Sequence, residues 1–183
     1  MKAVMISICP AHCELIAEGK KTIEVRKSAP KIETPFKVYI YCTKDGNTLF
    51  DIKAFMDVNG MVIGEFVRDY VTPLYNVCND DWERLHGGLH EIEKQLVGMA
   101  CMTEAELHKY ANGRQCFAWH ISDLKIYDKP KELKEFGKLI RTRDWERGTE
   151  HFWKNGRWYK PAARPPRSWC YVEDLHGLSA NDG

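Results

Sequence analysis

Between Ala3 and Lys27 the hydrophobic pattern changes period twice, and this limits the fold more than any other feature of the chain. Val4, Ile6 and Ile8 alternate with Ala3, Met5 and Ser7, a period of two that predicts a first strand buried on at least one side. Pro10 stands where a helix begins and Gly19 where one ends, with Leu15 and Ile16 as the apolar face between them. That spacing predicts a short helix over residues 10–18. Alternation returns from Lys20 to Lys27: Ile23 and Val25 face the core, while Thr22, Glu24 and Arg26 share the opposite face. The two strands, around Ile6 and Ile23, are expected in one barrel joined by the helix.

The remaining punctuation extends this pattern. Phe36 to Cys42 is rich in β-branched and aromatic residues and reads as a strand, followed by turn chemistry at Lys44-Asp45-Gly46-Asn47. Gly60 to Val67 is a further strand, apolar except for Glu65. Residues 80–97 read as helix through Trp82, Leu85, Leu89, Ile92 and Leu96, with Gly87-Gly88 interrupting. Thr103 and Glu106 form a capping-box pair opening a helix that Asn112-Gly113 closes. Gln115 to Ile121 is a strand with Phe117, Trp119 and Ile121 on one face; Leu124 to Tyr127 continues or neighbours it, and residues 130–139 read as another short helix. Pro161, Pro165 and Pro166 mark an extended tail that ends in a polar segment. Short strands with helices inserted irregularly argue against a doubly wound parallel sheet. They predict an α+β fold: a small mixed, partly closed β-barrel with flanking helices.

Charge divides the chain. The 183 residues carry 27 Lys and Arg against 26 Asp and Glu, so the whole is neither a basic arm nor an acidic tail. Residues 18–44 hold seven Lys and Arg against three acids, residues 45–110 five against twelve, and residues 138–167 nine against three. The last stretch also contains Trp145, Trp153, Trp158 and Tyr159, and cations interleaved with aromatics suit a nucleic-acid surface. The predicted organisation is a domain over residues 1–140 and a basic, Trp-rich extension over 141–183. No apolar run reaches the roughly 18 residues of a membrane span, and the N-terminal run is too short for a secretory signal. Seven irregularly spaced cysteines read as reduced thiols, so a cytoplasmic setting is expected.

The most informative segment is Gly19-Lys20-Lys21-Thr22-Ile23-Glu24-Val25-Arg26. It is not a phosphate-binding loop: Glu14 occupies the place of that motif's first glycine, and the segment precedes a strand, not a helix. On a strand, Glu24 and Arg26 share a face and can form an ion pair, and Lys21 enters from the loop edge. A carboxylate flanked by two cations can hold a base edge or a phosphate; it can also be an ordinary ion-pair cluster.

The Gly-x-Lys-x-x-Glu-x-Arg pattern at Gly19, Lys21, Glu24 and Arg26 resembles the ASCH domain. The preceding ISICPAHCELIAEG resembles that family's opening strand and helix, and Gly64-Glu65-Phe66 its next strand. Residues 116–133 and the tail PPRSWCYVE are similar to phage and gut-bacterial members. The resemblance implies a PUA-like fold and a binding role toward RNA or a modified nucleoside, with no cofactor. It places the contacts at Lys20, Lys21, Thr22, Glu24 and Arg26, with Glu65 opposite. One branch of the family hydrolyses acetylated cytidine with a Lys, a Thr and a Glu. Lys21 matches its lysine and Glu65 can match its glutamate, but Glu24 stands at the threonine position. If the cleft is catalytic, Lys21, Glu24 and Glu65 carry the chemistry, in an amidohydrolase or a ribonuclease. A protein-interaction module is the third class.

Other candidates are weaker. Glu65 shares a face with Met61, Ile63 and Val67, so its carboxyl is expected to be desolvated, with a raised pKa that suits a general base. His120 alternates onto the face of Cys116 and Ala118 and can line a cleft. Cys9, His12 and Cys13 cluster without a fourth ligand, and His86 and His90 lack the glutamate of a zinc-protease helix, so no metal site is predicted.

Overall fold

The computed structural model describes residues 3–44, 58–74, 91–141 and 150–176, with the backbone of residues 181–182. The turn at residues 45–47, the start of the helix expected from residue 80, Trp82, His86, His90, Cys78 and Trp145 lie outside the described residues. The elements are β1 (Ala3–Ile8), α1 (Pro10–Ala17), β2 (Ile23–Arg26), β3 (Phe36–Cys42), β4 (Val62–Arg68) and β5 (Val71–Leu74). Then come α2 (Glu91–Met99), α3 (Glu104–Ala111), β6 (Cys116–His120), β7 (Ser122–Lys131) and β8 (Phe136–Leu139). β9 (Glu150–Lys154), β10 (Arg157–Pro161), β11 (Trp169–Asp174) and β12 (Asn181–Asp182) complete the chain. The α+β class is as the sequence predicts.

The chain divides into two compact units. The first comprises Met1–Cys13, Phe36–Phe66 and Lys125–Gly183. Its nine-stranded sheet runs in the order β12-β9-β10-β8-β11-β1-β3-β4-β7. β1 lies centrally, parallel to β3 (Ile6 beside Ile40) and antiparallel to β11 (Met5 beside Cys170). All six of its residues are buried, so the alternating pattern serves two covered faces. One of these faces packs Ala3 and Met5 with Tyr39, Tyr41, Val62, Phe136 and Val172.

The second unit comprises Glu14–Pro35 and Val67–Leu124. It holds the three-stranded antiparallel sheet β2-β6-β5. One face of that sheet, through Ile23, Val25, Leu74, Cys116 and Ala118, packs on Leu96, Val97 and Ala100 at the end of α2 and on Leu107 and Ala111 of α3. α3 begins at the predicted capping box. The Thr103 hydroxyl accepts from the Glu106 N–H at 3.2 Å, and the Glu106 carboxylate accepts from the Thr103 N–H at 2.8 Å. Asn112 ends the helix in the left-handed region at φ 47°.

Three expectations need correction. Among the described residues the sheets run as open orders and do not close into a small barrel. β1 and β2, expected in one barrel, belong to different sheets. Hydrophobic alternation defines a strand and its buried face, but not which edge it pairs with. Residues 130–139 are not a helix: β7 runs to Lys131, a single 3-10 turn covers Leu133–Glu135, and β8 follows. Phe136 is fully buried there, in the core with Met5 and Tyr39, and this packing overrides the helix-start signal of Pro130. Residues 150–161, where the sequence pattern assigns no element, supply β9 and β10, and the proline-marked tail supplies β11, which pairs directly with β1.

Candidate functional site

The Gly-Lys-Thr-Glu-Arg segment builds a charged cluster on the sheet of the second unit. α1 stops because Gly19, at φ 72°, takes the left-handed conformation that allows the chain to turn. The N–H groups of Lys20 and Lys21 both bond to the Leu15 carbonyl, and the Thr22 N–H bonds to the Met99 carbonyl. This brings Lys21 inward just before β2 starts. Lys21 is only 1% exposed and Glu24 only 5%. The Lys21 ammonium donates to the Ala100 carbonyl and lies 3.5 Å from Glu24 Oε2. Arg26 pairs with Glu24 Oε1 at 3.0 Å, the ion pair that the strand spacing predicts. Glu24 Oε2 is buried and accepts no hydrogen bond among the described residues.

The antiparallel register supplies the surroundings. Glu24 stands opposite Trp119 and Arg26 opposite Phe117, on the face turned away from Ile23, Val25 and Ala118. Trp119 is fully buried, and the Arg68 guanidinium lies over its ring at 4.5 Å. Burial lowers the Arg68 pKa to about 10. Arg26 is also hydrogen-bonded to Tyr110, whose phenol is pushed up chiefly by burial. The cluster is therefore a carboxylate held between two cations, bordered by indole and guanidinium faces.

Not every predicted residue joins it. Lys20 is exposed and pairs with Glu18 at 2.8 Å, which raises its pKa. Thr22 is half-buried, and its carbonyl accepts from the Ile121 N–H. His120 is buried, stacks on Tyr70 at 3.8 Å between centroids and has Nε2 3.1 Å from the Thr72 hydroxyl. Burial is the main cause of its lowered pKa.

Glu65 belongs to the first unit. Lys37 donates to its Oε1 at 2.8 Å and the Tyr127 hydroxyl to its Oε2 at 2.6 Å. The expected raised pKa is not found. Burial pushes Glu65 up, but the hydrogen bonds from Lys37 and Tyr127 and the charges of Lys37 and Lys125 outweigh it, so its pKa is lowered. The Tyr127 phenol is pushed well above its ordinary range, first by burial and then by its bond to Glu65. The first unit also has a cleft of about 860 Å3, lined in part by Ser7, Tyr41, Lys44, Lys134 and Arg167 and by none of the predicted site residues. Among the described residues no group of three or more His, Cys, Asp or Glu is placed to hold a metal ion.

Sequence reasoning missed Arg68 as part of the site, and read Trp119 only as a strand residue. The available signal was a cation ending the apolar run of β4, since a buried cation needs an acceptor or an aromatic face.

This arrangement of sheets and helices is the ASCH-domain fold. The chain is similar to the crystal structure of ASCH from Zymomonas mobilis, with 21% identity over 93% of this chain and 87% of that one, at a TM-score of 0.55. A tyrosine-to-phenylalanine variant of that protein matches at 19% identity over 94% of this chain and 91% of that one, and a serine-to-alanine variant at 19% over 93% and 88%, both at 0.55. No family model and no curated protein sequence matches the chain. Among the described residues no helix is long and apolar enough to cross a membrane.

Proposed function

We propose that the chain is an ASCH-family binding protein for RNA or a modified nucleoside, and that Lys21, Glu24 and Arg26 receive the edge of a nucleobase. The observation that carries this reading is Glu24 Oε2, a buried carboxylate oxygen that accepts no hydrogen bond among the described residues. Leaving such an oxygen without a hydrogen bond costs about 1–3 kcal/mol, a cost that the Lys21 ammonium at 3.5 Å offsets only in part and that a ligand donor would remove. An exocyclic amine is the matching donor, as when a carboxylate accepts from the amine of cytosine. Binding is preferred to amide hydrolysis because Glu24 occupies the position of the nucleophilic threonine in the hydrolase branch that the chain resembles.

Calorimetric titration with cytidine and with uridine tests the assignment, since uridine has no exocyclic amine. Cytidine should bind more tightly than uridine, and Glu24→Gln should weaken cytidine binding by about tenfold or more when both proteins are titrated at a temperature where circular dichroism shows them folded. Equal affinities for cytidine and uridine, or cytidine affinity unchanged in Glu24→Gln, would remove the acceptor role.

A further inference from the structure

In the first unit two of the buried cysteines meet where the ends of β1 and β3 adjoin the first turn of α1. Ile8, the last residue of β1, stands beside Cys42, the last residue of β3. The Ile8 carbonyl accepts from the Thr43 N–H at 2.9 Å and from the Cys13 thiol at 3.6 Å. Cys13 reaches this point from α1, where its own N–H bonds back to the Cys9 carbonyl at 3.0 Å. The Cys13 thiol is also hydrogen-bonded to the thiol of Cys42. Both side chains are wholly buried, and both are free thiols. Cys42 Sγ lies 3.5 Å from Oδ1 of the half-buried Asn59.

A buried cysteine usually serves as a small apolar side chain. This pair differs in two respects. Its sulfurs are in hydrogen-bond contact with each other, so a bond between them needs only their mutual approach. Burial alone would raise the Cys42 pKa, yet the bond from Cys13 outweighs it and the pKa is lowered. The thiolate is the form of sulfur that oxidants attack, so the more acidic partner reacts first. Among the described residues no third His, Cys, Asp or Glu is placed to complete a metal site with them.

We propose that Cys13 and Cys42 are a dithiol that hydrogen peroxide oxidises to an intrachain disulfide. Peroxide, little larger than water, reaches Cys42 past the polar side chain of Asn59. The Cys42 thiolate attacks one peroxide oxygen: an S–O bond forms, the O–O bond breaks, and the departing hydroxide takes the proton that Cys42 released and leaves as water. The Cys13 thiolate then attacks the Cys42 sulfur: the S–S bond forms, the S–O bond breaks, and a second water leaves with the Cys13 proton. Two electrons pass from the sulfurs to the peroxide. The crosslink closes a loop from Cys13 to Cys42, and Lys21, Glu24 and Arg26 all lie inside it. Oxidation thus restrains the segment that carries the charged cluster, whatever ligand that cluster binds.

The test treats the full chain with hydrogen peroxide well below its melting temperature, removes the peroxide with catalase, then unfolds the chain in iodoacetamide and maps its unreduced peptides. The intact mass before alkylation should fall by two hydrogens, and one crosslinked peptide pair should join Cys13 to Cys42. The oxidised chain should melt about 5–10 °C higher than the reduced one, and dithiothreitol should reverse the shift. Cys9→Ala, one turn before Cys13, should keep both the crosslink and the shift, whereas Cys13→Ala should lose both. A treated parent chain in which Cys13 and Cys42 are both alkylated overturns the proposal, and this result needs no variant to fold. So does a crosslink from either of them to another cysteine, or Cys42 recovered as sulfinic acid with Cys13 alkylated. A Cys13–Cys42 crosslink that leaves the melting temperature unchanged overturns the restraint on the enclosed segment.

Discussion

Glu24 and Glu65 are both partly desolvated carboxylates on strands, each beside a lysine, yet their surroundings differ in kind. Both oxygens of Glu65 are engaged, one by Lys37 and the other by Tyr127. Only one oxygen of Glu24 is comparably engaged, by Arg26; its Oε2 has Lys21 at 3.5 Å and accepts no hydrogen bond among the described residues. A carboxylate whose neighbours saturate it braces the fold. One that is held between cations with an acceptor left open is organised for a donor that arrives from outside. On the proposed reading the second unit carries the binding chemistry and the Glu65 network braces the first, and each half of that division can be tested.

The largest expected effect comes from breaking the Glu24 arrangement. Lys21→Met removes one cation beside a buried carboxylate and the donor to the Ala100 carbonyl. It should cost about 3–5 kcal/mol in urea unfolding; a cost below about 1 kcal/mol would mean that Glu24 does not depend on Lys21. Tyr127→Phe is the parallel test in the first unit. It removes one hydrogen bond to a charged group that is part-buried and should cost about 1.5–3 kcal/mol. Cytidine binding should not change, and a loss of cytidine affinity in this variant would end the division of roles.

Acid tests the Glu65 network directly. The Glu65 pKa is lowered in the fold. Its contribution is therefore present in full above the unfolded carboxylate value, about 4.3, and is lost as pH falls through the folded value. Melting temperature followed from pH 5 downward should fall less steeply in Glu65→Gln than in the parent, and parallel curves would show that the network contributes nothing. The smallest effect belongs to His120, whose pKa is lowered mainly by burial. Its stabilisation is complete above the unfolded histidine value of about 6.5 and declines as pH falls from there toward the folded value. His120→Gln should flatten that shallow decline by a few degrees at most.

Much of the site was legible because its determinants are local. The φ 72° of Gly19, the face shared by Glu24 and Arg26, and the capping box at Thr103 and Glu106 are set by residues within a few positions of one another. The hairpin of β9 and β10 had an equally local signal in Asn155-Gly156 between two aromatic runs, but no element was read there because the apolar periodicity weakens after residue 139. The environment of Glu65 was misread for a different reason. Its neighbours along β4 are apolar, but Lys37 and Tyr127 come from β3 and β7, far away in sequence.

The sequence by itself determined the strands and helix of residues 3–42, the capping-box helix and the strand that follows it, which of their faces are apolar, and that Lys21, Glu24 and Arg26 meet. These follow from backbone conformation and from the periods of two and 3.6 residues. Only the tertiary structure decided that β1 and β2 belong to different sheets, that β11 lies beside β1, that Trp119 faces Glu24, and that Glu65 is saturated while Glu24 is not. Pairing between strands depends on which edges are left free once the core has packed, and a buried polar atom's partners come from whichever strands that packing brings alongside.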